Sequence, residues 1–135
     1  MINKIEKELI SCAMAVSENA RAKHSKFKVG AAILSKSGKI FIGCNIEFDN
    51  FSNTIHAEEA AISALVAAGP DEYPTHIAIY TSGNRVEFPC GMCRQSLWEL
   101  AGENLQVIAC AGESIKKKYM YELLPNAFSL SQEKY

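Results

Sequence analysis

Long apolar runs, repeats, biased tracts and an excess of either charge are all missing from this 135-residue chain. No stretch approaches the roughly 20 consecutive apolar residues of a membrane-spanning helix. The opening MINKIEKELISCAMAVSENARAK interleaves charged with apolar residues, so it offers neither the unbroken apolar core nor the small-residue cleavage site of a secretory leader. A cytoplasmic protein with no membrane partner is expected. Fourteen Lys and Arg against fifteen Asp and Glu leave a formal net charge of −1, whereas proteins that neutralise many phosphates carry a clustered basic excess. Nucleic acid is therefore not an expected partner, and the one basic run, Lys116-Lys117-Lys118, reads as a solvated strand edge. Cysteine is present in an odd number, five, and without a leader a disulfide framework is not expected. Cys12, Cys44 and Cys110 stand among aliphatics as small buried hydrophobes. The close pair Cys90 and Cys93 reads instead as a metal or redox site.

What is present is enough for one compact unit. The length and a 48% hydrophobic content predict a single domain over 1–135. Ile5, Leu9, Cys12, Ala13 and Val16 recur at helical spacing, so residues 4 to about 20 form an amphipathic helix covering one sheet face. FKVGAAIL and KIFIGCNI, joined by SKSGK, form a β-hairpin over 27–46. An apolar helix over about 56–68 is closed by Gly69-Pro70. Apolar nearly all round, it is expected to be buried on most sides, between a sheet and another layer or subunit. THIAIYTS is a strand, CRQSLWELAG a helix ending at Gly102, LQVIAC a strand, and KKKYMYELLPNAF an edge strand followed by a helical turn stopped at Pro125. This order predicts an α/β fold: three layers, α-β-α, around a mixed sheet of about five strands. The later strands are expected to run parallel through right-handed crossovers.

Two motifs carry chemistry, and each opens a predicted helix. His56-Ala57-Glu58 begins one and Pro89-Cys90-Gly91-Met92-Cys93 the other. Residues two apart on a helix diverge and residues three apart share a face, so His56 and Glu58 converge only at a helix mouth. Cys90 and Cys93 can face one point from a first turn, where exposed N–H groups favour the thiolate. Two cysteines and a histidine give three ligands for Zn²⁺ and leave its fourth tetrahedral position open to water. Zn²⁺ lowers the pKa of water bound at that open position to ~7, and Glu58 beside it would serve as general acid and base. A lone H-x-E or a lone C-x-x-C carries little weight, since the second could be redox or structural. The surrounding order is not thioredoxin-like, however, and a closed structural site wants a fourth protein ligand. The candidates, His24 and His76, lie outside any paired motif and read as surface or satisfied core residues. Glu59 and Arg94 read as solvated or ion-paired helix residues.

H-x-E followed by P-C-x-x-C is the signature of zinc deaminases. Beyond that signature, HSKFKVGAA, GCNIE, HAEEAAI, PCGMCRQ and ELLPNAF resemble, in order and spacing, the small-subunit form of the cytidine deaminases. The resemblance covers nearly the whole chain. It implies His56, Cys90 and Cys93 as ligands of one Zn²⁺ per subunit, Glu58 as proton shuttle, and the backbone N–H of Ala57 as a donor to a pyrimidine carbonyl. It also implies Phe27 as the aromatic on the base, Asn45 and Glu47 as a ribose clamp, and Phe128 as a residue reaching a neighbouring subunit's pocket in a homotetramer. A flat base suits an aromatic face, and a diol suits a carboxylate with an amide. On residues alone, Phe27 could equally fill core and Asn45 end its strand.

Three features depart from the family pattern. His56 stands where many small members have a third cysteine, with Glu59 in place of a following arginine; two thiolates and a neutral imidazole balance Zn²⁺ without that cation. Phe48 and Asp49 follow NIE, and His24 replaces a common tyrosine. The expected activity is hydrolytic deamination of cytidine and 2′-deoxycytidine in pyrimidine salvage. The alternatives are a modified cytosine nucleoside such as blasticidin S, a nucleic-acid or tRNA editing activity, and a non-catalytic zinc-stabilised interaction module.

Overall fold

A computed structural model describes residues 2–130. The first helix, α1 (Lys4–Ser17), begins where Asn3 and Glu6 form a reciprocal capping box, Asn3 Oδ1 accepting from Glu6 N at 2.9 Å and Glu6 Oε2 from Asn3 N at 3.1 Å. It ends at Ser17, earlier than the apolar spacing suggested. Strands β1 (Val29–Ser35) and β2 (Ile40–Cys44) form the expected hairpin, and a 3₁₀ turn over Phe51–Asn53 leads to α2 (Ala57–Ala67). Then follow β3 (Pro74–Thr81), α3 (Gly91–Ala101), β4 (Gln106–Ala111), β5 (Ser114–Tyr119) and the short α4 (Met120–Leu123).

The five strands stand in the order β2-β1-β3-β4-β5. Among neighbouring strands β3 and β4 are the parallel pair, in the register Ala78 with Ile108, joined through α3; β2 and β3, joined through α2, also share a direction but lie on either side of the antiparallel β1. The expectation of parallel later strands fails for β5. It returns antiparallel to β4 across Gly112, whose φ of +56° closes a tight hairpin too short for a crossover.

Alternation along the strands divides the core in two. Ala32, Ala78, Ile108 and Cys110 face α1, whose Leu9, Ile10 and Ala13 cover them. Ala31, Ile33, Ile77, Ile79 and Val107 face the other way, under Ala57, Ala61, Ile62 and Leu65 of α2 and Leu97 of α3. Three layers result, as the sequence predicted. Two glycines allow the helices this close. A Cβ on Gly43 of β2 would sit 2.4 Å from Ala61 N and 2.6 Å from Ala57 O in α2, and one on Gly30 would sit 1.9 Å from Ala13 O in α1.

Within this chain α2 is not buried on most sides. Ser63, Ala64, Val66 and Ala67 face outward, Val66 at 55% exposure. Alanine suits either side of a helix, so composition alone could not mark which face meets the sheet. The lysine run does form an exposed edge strand, yet Lys117 Nζ reaches across to the buried Glu6 at 2.7 Å. Cys110 is buried with its thiol 3.2 Å from the Ile79 carbonyl, and burial pushes its pKa up to about 11. Cys12 and Cys44 are half-buried. No helix among the described residues is long and apolar enough to cross a membrane.

Candidate active site

His56 and Cys90 are the residues just before α2 and α3, both in extended conformation (ψ 149° and 168°), and neither side chain caps its own helix. Both side chains are thus free to face the seam where the two helix mouths meet. His56 Nδ1 lies 3.4 Å from Cys90 Sγ and 3.3 Å from Cys93 Sγ, and the donor atoms of all three residues lie within 4.8 Å of one another. Tetrahedral Zn²⁺, with Zn–N near 2.0 Å and Zn–S near 2.3 Å, needs ligand atoms about 3.5 Å apart. The triad fits that requirement. Among the described residues no fourth His, Cys, Asp or Glu joins the group. His24 lies beside Asp49, and His76 shares a hydrogen with Thr75 Oγ1 at 2.9 Å.

Electrostatics corrects one expectation. The helix start was expected to favour thiolates, but burial, followed by the negative charges of Glu58 and Cys90, raises the Cys93 thiol far above its ordinary pKa. Full desolvation outweighs the dipole of one helix end. Cys93 therefore needs a cation beside it to ionise, which is what a bound metal supplies. Glu58, in the first turn of α2, is 6% exposed, and burial raises its carboxyl against the pull of its own backbone N–H and His56. A carboxyl lifted toward neutrality is suited to exchanging protons.

The triad and Glu58 open onto a pocket of about 330 Å³. Phe27, Asn45, Glu47, Ala57, Glu58, His56 and Cys90 all line it, while Cys93 is wholly buried behind. Ala57, as the first residue of α2, has an N–H without an acceptor inside the helix. Asn45 bridges two strands of the wall: its Nδ2 donates to Phe27 O at 2.8 Å and its Oδ1 accepts from Val29 N at 2.9 Å. One N–H and one lone pair of the amide remain. Glu47 Oε1 accepts from His24 N and Ser25 N, each at 2.9 Å, and Oε2 from the Ser25 hydroxyl; these bonds hold its carboxyl below the usual range. Glu47 is anionic at neutral pH and keeps lone pairs for a ligand.

Sequence reasoning missed several pocket residues. Thr54, Ile79 and Thr81 carry no motif, and Glu87 and Phe88 lie just before Pro89 in a loop that only the fold brings round. Their sole signal was adjacency to PCGMC. His24, Phe48 and Asp49 do not line the pocket. They knit its rim: Asp49 pairs with Lys23 at 2.5 Å and His24 at 3.3 Å, the His24 ring meets Phe51 edge-on at 5.1 Å, and Arg21 lies over Phe48 at 5.5 Å.

Glu59 and Arg94 are both half-buried, and among the described residues neither forms an ion pair. Glu59 Oε1 accepts from Ser96 Oγ at 2.7 Å, while Arg94 donates to the carbonyls of Pro89 at 2.6 Å and Leu123 at 2.9 Å. Phe128 is 66% exposed and absent from this chain's pocket, its carbonyl accepting from Gln95 Nε2 at 2.9 Å.

An α-β-α sandwich with a three-residue His-Cys-Cys triad at two helix mouths, which no fourth His, Cys, Asp or Glu of the described residues completes, and a buried carboxyl belongs to the class of zinc hydrolases that activate water. Residues 3–109 match the cytidine and deoxycytidylate deaminase zinc-binding region, and the chain belongs to that family. It is 34% identical over 123 residues to cytidine deaminase of Sporosarcina psychrophila, covering 90% of each chain. Over 95 residues it is 43% identical to cytidine deaminase 6 of Arabidopsis thaliana, 69% of this chain but 31% of that longer protein. The crystal structure of cytidine deaminase from Burkholderia pseudomallei superposes with a TM-score of 0.84 at 35% identity, covering 90% of this chain and 98% of that one.

Proposed function

We propose that this protein is a zinc-dependent cytidine deaminase, a hydrolase that converts cytidine, and 2′-deoxycytidine with it, to the uridine counterpart and ammonia. The observation that carries this reading is the buried Glu58 carboxyl lining the same pocket as His56 and Cys90, with Cys93 directly behind. His56, Cys90 and Cys93 would hold one Zn²⁺, which supplies a Lewis acid that makes water nucleophilic at neutral pH.

Glu58 performs the proton work. Its carboxylate takes one proton from the attacking water and gives it to N3 of the ring as the new C4–O bond forms. It then takes the remaining hydroxyl proton and passes it to the C4 amine, which leaves as ammonia while the carbonyl forms. Ala57 N–H binds the base carbonyl, Phe27 covers the base, and Asn45 and Glu47 hold the ribose hydroxyls. Among the described residues the pocket lining includes three carboxyl groups, Glu47, Glu58 and Glu87, and no Lys or Arg. This supports a neutral nucleoside over a phosphorylated substrate or a nucleic acid.

The whole chain, 1–135, acts as one catalytic domain in the cytoplasm, in pyrimidine salvage, without membrane or nucleic-acid partners. It assembles as a homotetramer, a reading supported by the outward Val66 of α2 and the exposed Phe128, which would reach a neighbour's pocket. Light scattering on the purified protein tests the mass. Phe48, the residue that kept blasticidin S open as a substrate, lies outside the pocket lining and gives that alternative no support.

The test is the loss of cytidine absorbance with purified protein, before and after zinc removal, beside deoxycytidine and blasticidin S. Turnover of neither simple nucleoside would defeat the proposal.

A further inference from the structure

The two ligand-bearing helices are far apart in sequence, so something must hold their mouths in register. Glu59 follows His56 by three residues and Ser96 follows Cys93 by three. Each therefore shares a helix face with the ligand one turn ahead of it. Across the seam Ser96 Oγ donates to Glu59 Oε1 at 2.7 Å, and both side chains are half-buried. The 2.7 Å length is that of a well-formed O–H···O hydrogen bond.

We propose that the Glu59–Ser96 hydrogen bond is a positioning clamp that fixes α2 against α3 and so keeps His56 in place over Cys90 and Cys93. This rests on the zinc-site reading given above. The roles of the two residues differ. Ser96 Oγ also lies 3.3 Å from Met92 O, so when Glu59 is truncated the hydroxyl can turn back onto its own helix. No polar group is then orphaned, yet the link between helices is lost. A glutamine at 59 keeps a carbonyl oxygen where Oε1 now accepts, preserving the link while removing the charge. The clamp thus depends on the acceptor atom and not on the net charge beside the metal. Its position one turn behind the ligands also explains why a glutamate can stand directly after Glu58: its carboxylate is turned into the seam and bonded there.

The experiment compares zinc-loaded protein with Ser96→Ala, Glu59→Ala and Glu59→Gln, following zinc transfer to an excess of a chromophoric chelator without substrate, and separately kcat and KM for cytidine. Groups that support metal ligands typically change metal affinity by about tenfold or more when removed. Ser96→Ala and Glu59→Ala are expected to release zinc about tenfold faster and to lower kcat with little change in KM, while Glu59→Gln stays within about twofold of the unaltered protein. Transfer rates unchanged in both alanine variants, or Glu59→Gln as fast as Glu59→Ala, would overturn the clamp. If Ser96→Ala fails to fold, Ser96→Thr, which retains the hydroxyl, and Glu59→Ala still decide it: slow release from the first with fast release from the second supports the clamp, and any other pairing opposes it. Zinc transfer is read without substrate, so absence of cytidine turnover would sink the proposed activity and leave this inference standing or falling by itself.

Discussion

Gly43→Ala tests whether the closeness of helix and sheet sets the reaction geometry. The added Cβ would meet Ala61 N at 2.4 Å, Ala57 O at 2.6 Å and Ala60 Cβ at 2.7 Å. Two of these are backbone atoms, so no side-chain rotation relieves the clash. An ordinary contact needs about 3.4 Å or more, and α2 must move outward by about 1 Å at its first turns. That turn carries Ala57 and Glu58, with His56 just ahead. A misplacement of 1 Å costs about 10²-fold in rate, and overpacking costs about 1–3 kcal/mol of stability. The expected outcome is kcat for cytidine lowered about 100-fold, together with weakened zinc retention and a melting temperature lowered by several degrees. Gly30→Ala supplies the contrast, because its Cβ would strike Ala13 O at 1.9 Å on the opposite face. It should destabilise at least as much while leaving kcat of the folded fraction within about twofold. If Gly43→Ala keeps near-normal kcat and zinc content, the link from packing to chemistry is wrong.

Other expectations follow from the same structure. Glu58→Gln should lower kcat by about 10²–10⁴-fold with zinc content intact, measured by the absorbance assay and metal analysis; near-normal turnover would remove Glu58 from the proton path. Zinc binding to stripped protein should release protons, because burial raises the Cys93 thiol and the metal must displace its hydrogen. Calorimetry in buffers of different ionisation enthalpy reads this directly, and buffer-independent heats would contradict it. At Glu6, burial pulls the carboxyl upward, but the Lys117 ammonium and the Asn3 N–H outweigh it and hold it below its ordinary value. A depressed folded-state pKa gives stability that is present above the unfolded value near 4.5 and lost as pH falls through the folded one. Lys117→Met should cost about 1 kcal/mol near pH 7, because the lysine is solvent-screened, and flatten that acid limb in denaturant titrations at several pH values; an unchanged limb would refute the assignment.

The site was legible in the sequence to the degree that its geometry is local. His56, Glu58, Cys90 and Cys93 sit within a turn of a helix start, so spacing alone told which could converge. Phe27, Asn45 and Glu47 came from resemblance, and the fold shows why they lie together: Asn45 at the end of β2 bonds both Phe27 and Val29 at the start of β1. Partners far apart in sequence were not legible. The acceptor of Ser96 and the Leu123 carbonyl held by Arg94 belong to other elements, and no periodicity reports such a contact. The direction of β5 was misread because the decisive signal is one glycine at a positive φ, which outweighs the habit of strands separated by helices. The outer face of α2 is exposed in the single chain, and alanine, compatible with either environment, did not say whether a layer of this chain or another subunit would cover it.

The β5 border also bears on how these molecules behave when crowded. An outermost strand offers unsatisfied amides and carbonyls to any passing strand, and all six residues here are exposed. Two copies meeting antiparallel about Lys117 would set Lys116 against Lys118 and Lys117 against itself, opposing like charges at every central pair. The lysine run thus discourages edge-to-edge fibril growth, and chemical neutralisation of those amines should make the purified protein precipitate more readily.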